Sequence, residues 1–140
     1  LANILAVESG IEDSEVICGA LLHDTIEDTD TSEEELLDQF GVNITRIVLE
    51  VTDDKTLEKN ERKEAQVAHA PHISEQAKLV KLADKISNLR DIANSPPHGW
   101  NTQRKQEYFD WAARVVKGIR GTHEKLELLF DQAYSFRPED

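Results

Sequence analysis

An unbroken apolar run, Val16-Ile17-Cys18-Gly19-Ala20-Leu21-Leu22, leads directly into His23-Asp24-Thr25-Ile26-Glu27-Asp28. No other feature constrains the fold so tightly. The run reads as a core-facing helix, and it delivers an adjacent His-Asp pair and an adjacent Glu-Asp pair to its end. Ionisable groups on a buried helix are costly unless something satisfies them. A divalent cation with a bound water does so: imidazole and carboxylate are common ligands, and spare carboxylates handle protons. The same residues also suit an acidic helix end at the surface, with His23 an ordinary core histidine. This stretch alone leaves both open.

The remainder reads as helices with short punctuation. Ile4, Leu5 and Val7 carry a helical pattern that Ser9-Gly10 ends, as the second half of a helix would. Asp13 or Ser14 is expected to cap the next helix, which runs to about Asp24. Thr31-Ser32 before Glu33-Glu34-Glu35 is an N-terminal capping signature, with acidic residues where the helix dipole favours them. That helix should stop at Phe40-Gly41. Asn43 starts another, with Ile44, Ile47, Val48 and Val51 at helical spacing, and 52–56 breaks it. A charged, exposed helix is expected from Lys59 to His69, closed by Ala70-Pro71-His72. Ser74 opens the strongest helix, to about Asn94, before the rigid Pro96-Pro97-His98-Gly99-Trp100 loop. Thr102 is expected to cap a helix to Gly121, and Thr122 a last one to about Tyr134. No segment alternates with period two, so the expected class is all-α.

A chain of 140 residues is expected to form one domain with a real core. Charged residues, 31% of the total, are spread between apolar positions, as in a globular protein. The formal net charge of −12 argues against a nucleic-acid polymer as partner, since binding one needs phosphate neutralisation by Lys and Arg. A small phosphorylated substrate stays compatible, held by a metal and a few local cations. No apolar run is long enough for a bilayer and no secretory signal pattern is present, so neither membrane nor export is expected. The lone Cys18, in an apolar helix, reads as a small core residue, and the expected setting is cytoplasmic.

The helix from Ser74 carries a second constellation. Leu79, Leu82, Ile86 and Leu89 form a core stripe, with Val80, Asp84, Asn88 and Asp91 beside it. Asp84 and Asn88 are one turn apart and point the same way. A carboxylate beside a core stripe suits a metal ligand, and the amide can serve a substrate hydroxyl or phosphate. The bland alternative pairs Asp84 with Lys81 or Lys85 on a partly solvated face. Taken with His23-Asp24, Asp84 becomes the third part of one divalent-metal site.

His23-Asp24 with Asp84 on a later helix resembles the HD superfamily of metal-dependent phosphohydrolases. The strings Ala20-Leu21-Leu22-His23-Asp24-Thr25-Ile26-Glu27-Asp28-Thr29 and Lys78-Leu79-Val80-Lys81-Leu82-Ala83-Asp84-Lys85-Ile86-Ser87-Asn88-Leu89-Arg90-Asp91 are similar to the hydrolase domain of the RelA/SpoT homologues. Val51-Thr52-Asp53-Asp54-Lys55, Glu107-Tyr108-Phe109-Asp110-Trp111-Ala112 and Val115-Val116-Lys117-Gly118 resemble its small single-domain metazoan form. The resemblance covers essentially the whole chain. It implies an HD-domain helical bundle over 1–140 and 3′-pyrophosphohydrolysis of guanosine tetra- and pentaphosphate with manganese. Removal of the NADPH 2′-phosphate is the related activity. By position it makes His23, Asp24 and Asp84 metal ligands. Glu27 and Asp28 would orient or deprotonate the attacking water.

It further implies substrate contacts by Asn88, Lys59, Tyr108 and Arg104. Lys59 and Arg104 could instead be solvated helix charges, and Tyr108 rim packing. Trp100 and Trp111 are expected to be core or loop anchors rather than base-stacking platforms. The family site has a fourth ligand, a histidine on an earlier helix, which falls ahead of Leu1. His69, His72, His98 and His123 sit in no matching motif. The domain is therefore expected to lack N-terminal helices. Either residues ahead of Leu1 complete the site and the enzyme is intact, or the form is truncated; with three ligands, these 140 residues alone are expected to hold manganese weakly and turn over little, an impaired HD module.

Overall fold

The computed structural model describes residues 1–28, 32–52 and 56–139, with side chains 24–28 outside the description. The described residues form α-helices joined by short turns, with no strand among them, as the lack of period-two patterning requires. The helices are α1 (Ser14–Asp28), α2 (Glu33–Val51), α3 (Lys59–His69), α4 (Glu75–Asn94), α5 (Thr102–Lys117) and α6 (Glu124–Tyr134). A π-helical turn, Ile4–Glu8, precedes them, and a 3-10 turn, Ala70–His72, links α3 to α4.

α4 is the central element and packs against α1, α2, α5, α6 and the π-helical turn. Ser74 caps it, its hydroxyl accepting from the Ala77 N–H at 3.2 Å. Leu82, Ile86 and Leu89 of the expected stripe are fully buried, each contributing about 1.5–3 kcal/mol by removal from water. Leu79 packs only at the margin of this core. Val80 and Ala83 are buried as well, and so are Lys81 and Lys85. The bland alternative for Asp84 is met in part: Asp84 stays partly exposed and pairs with Lys85 at 3.4 Å, but both lysines are buried, because other helices cover α4 on nearly every side.

α1 and α2 approach closely where α1 has no side chain. A Cβ on Gly19 would sit 2.6 Å from Ile47 Cγ2, so only glycine fits. The resulting contact places the end of α1, with His23, against α4.

Several boundaries differ from expectation. α1 continues past Asp24 to Asp28. The break at Gly41 lies inside α2 as a kink, with φ 84° and ψ 176°, so two expected helices join without a loop. Asn101, not Thr102, caps α5: its Oδ1 accepts from the Arg104 N–H at 2.8 Å. α5 ends at Lys117, short of Gly121. His123 caps α6 through Nδ1, which accepts from the Leu126 N–H at 3.2 Å. Thr122 instead donates to the Ile119 carbonyl at 2.5 Å and closes the turn after α5. Cap choice depends on which side chain reaches a free N–H, and short polar neighbours compete for it. Cys18 is only partly buried, since the outer face of α1 is less covered than a wholly apolar run predicts.

Candidate metal and phosphate site

α1 and α4 bring His23 and Asp84 together. His23 is 6% exposed, and its Nε2 lies 3.7 Å from Asp84 Oδ1. The other oxygen, Oδ2, accepts long hydrogen bonds from Asn88 Nδ2 at 3.3 Å and Lys85 Nζ at 3.4 Å. One carboxylate oxygen is thereby turned toward the imidazole while the other is held by its own helix. A buried imidazole nitrogen facing a carboxylate oxygen is a donor pair that suits one divalent cation, with Asn88 and Lys85 orienting the ligand from behind. No third ligand joins them among the described residues. The side chains of Asp24, Glu27 and Asp28 lie outside those residues; the α1 backbone continues through all three.

Beside this pair opens a cleft of about 380 Å³ between α3, α4 and α5. α3 contributes Lys59, Arg62, Lys63 and Gln66; α4 contributes Lys81, Asp84, Lys85 and Asn88; α5 contributes Tyr108 and Trp111. Its charge is the reverse of the chain's. Acidic side chains outnumber basic ones 28 to 16 overall, yet cations dominate this wall. Arg62 Nε is buried with no hydrogen-bond partner among the described residues. Burial lowers the Lys63 pKa most, and the neighbouring charges of Lys59, Arg104 and Lys85 lower it further. Cations crowded against one another in this way are poised to gain from an anion.

A second cavity of about 440 Å³ continues outward and shares Lys59, Lys63 and Tyr108 with the first. Trp100 and Arg104 line it, with the Arg104 guanidinium 4.3 Å from the Trp100 ring centre.

Of the residues expected from the sequence, His23, Asp84, Asn88, Lys59 and Tyr108 therefore share one cleft, and Arg104 lies in the adjoining cavity. His69, His72, His98 and His123 line none of the inner cleft. Arg62, Lys63, Lys81 and Lys85 were not anticipated there. Their one available signal was spacing: Lys59 with Lys63, and Lys81 with Lys85, are each one helical turn apart. Trp111 is an anchor, as expected, and is also a wall of the cleft.

The fold, and a histidine of α1 facing a later helical aspartate, define an HD-domain protein. The HD domain family matches residues 1–114, and the chain belongs to that family. It is 60% identical over 134 residues to guanosine-3′,5′-bis(diphosphate) 3′-pyrophosphohydrolase MESH1 of Danio rerio, covering 93% of this chain and 74% of that protein. It is 58% identical over 127 residues to the Homo sapiens protein of the same name, covering 91% and 71%. A solved structure described as a metazoan orthologue of SpoT that hydrolyses ppGpp superposes with TM-score 0.92 at 48% identity, covering 97% of this chain and 76% of that one.

Proposed function

We propose that this protein is a manganese-dependent 3′-pyrophosphohydrolase of (p)ppGpp, producing GDP or GTP and pyrophosphate. The observation that carries the reading is the juxtaposition of a His23–Asp84 ligand pair with a cationic cleft in an acidic chain. The names of the relatives supply the substrate class.

His23, Asp84 and Asp24 would hold the cation. Bound there, manganese would lower the pKa of a water and polarise the phosphoryl oxygens. Glu27 and Asp28 would orient that water and take its proton. Lys59, Arg62, Lys63 and Lys85 would neutralise the pyrophosphate, while Asn88 and Tyr108 address the ribose. Arg104, in the outer cavity, would meet the anionic group at the substrate's other end.

Removal of the NADPH 2′-phosphate is the second reading. The continuity of the inner and outer cavities favours it, because a dinucleotide needs that length. A paired assay separates the two: pyrophosphate release from ppGpp and orthophosphate release from NADPH, each with and without manganese. Asp84→Ala should reduce either reaction to the uncatalysed background. Retained turnover in that variant would refute the assigned site, and absence of both products in the parent would refute the function.

A further inference from the structure

We propose that Trp111 is a positioning residue: its indole face holds the ammonium groups of Lys63 and Lys85 in the cleft without neutralising them. The proposal rests on the phosphohydrolase reading above. Lys85 Nζ lies 4.2 Å and Lys63 Nζ 5.2 Å from the Trp111 ring centre. Three helices meet at this point, since Lys63 comes from α3, Lys85 from α4 and the ring from α5.

The ring itself cannot swing away. Its Nε1–H donates to the Lys63 carbonyl at 3.0 Å. The Tyr108 ring meets it edge-on at 5.3 Å, and Val115 and Ile119 bury it from behind.

An aromatic face attracts a cation through its quadrupole and carries no net charge. A carboxylate in the same place would hold the lysines equally well but cancel their field over the cleft. Lys63 has no carboxylate within ion-pair range among the described residues. Lys85 has Asp84 at 3.4 Å, but Asp84 is the carboxylate assigned to the cation. Once its charge is engaged there, the ring is the Lys85 partner that remains among the described residues. Two like charges that would otherwise repel each other are thus kept together at full strength for an incoming phosphate.

The test replaces Trp111 site-specifically with tryptophans carrying one to four ring fluorines. Fluorine withdraws π density stepwise while shape and the N–H donor are almost unchanged. KM for ppGpp is expected to rise with each fluorine, by about tenfold across the series, with kcat within about twofold and the thermal midpoint unmoved. A purely structural anchor would leave KM flat, and that result overturns the proposal. Should the unsubstituted protein fail to hydrolyse ppGpp, the functional reading falls separately. Calorimetric affinity for inorganic pyrophosphate across the same series then decides the Trp111 role. Stepwise weakening upholds it, and a flat series or no binding by the parent overturns it.

Discussion

Asp84 presents one oxygen to His23 and the other to Asn88 and Lys85, so its orientation is set before any ligand arrives. Lys59 is the contrasting case at this scale, an exposed lysine at the mouth shared by both cavities. It makes no ion pair among the described residues, so its ammonium is available to a phosphate. Lys59→Ala is expected to raise KM for ppGpp about three- to tenfold with kcat nearly unchanged, because the lost contact acts equally on bound substrate and transition state. Steady-state kinetics on the purified variant checks this. Asp84, Asn88 and Tyr108 were legible as cleft residues because helical spacing or the family strings single them out, and Lys59 only through the family resemblance. Lys63 and Lys85 were not, since a lysine looks the same on a solvated face as beneath a neighbouring helix.

At the scale of elements, Gly19 controls how near α1 comes to α2. Alanine is a better helix former by about 1 kcal/mol, yet its Cβ would meet Ile47, which is fully buried and cannot yield freely. Gly19→Ala is therefore expected to destabilise by about 1–3 kcal/mol through overpacking. Thermal or urea unfolding measures it, and Ile47→Leu in the same chain, which removes the clashing Cγ2 methyl at nearly constant volume, should recover part of the loss. The same displacement moves His23 away from Asp84, so manganese affinity should fall with stability. The helices themselves were readable from capping residues and apolar spacing. The caps expected at Thr102 and Thr122, one residue late and one residue early, show why boundaries are harder. Asn101 and His123 compete locally for the same free N–H groups, and geometry decides between neighbours.

Across the whole molecule, Arg90 of α4 binds Glu8 through two hydrogen bonds, 2.7 and 2.9 Å, joining positions 82 residues apart. The Arg90 guanidinium holds the Glu8 carboxyl below its ordinary value of 4.5. A depressed carboxylate contributes stability above its unfolded pKa and loses it as pH falls through the folded one. Glu8→Gln is thus expected to cost about 0.5–1 kcal/mol at pH 7, with the difference fading below about pH 4.5. Paired denaturation curves at pH 7 and pH 3 test the sign. The charge distribution gives a second global prediction. The cleft cations act over a few ångströms from partly buried positions, whereas the acidic surface acts at long range. KM for ppGpp should therefore rise a few-fold as salt increases from about 0.05 to 0.5 M, because the attractive contacts weaken. A falling KM would mean that the surface field dominates.

The sequence by itself determined the all-α class and the central α4 stripe, and it singled out His23 and Asp84 as candidates for one site. Each of these depends on periodicity or on side-chain type within a short stretch. The tertiary structure alone decided that α3, α4 and α5 enclose a cationic cleft beside that pair, and that Trp111 stands between two of its lysines. Helical spacing states which residues share a face of one helix. It carries no information about which distant helix that face will meet, and a binding site in a bundle is made of such meetings.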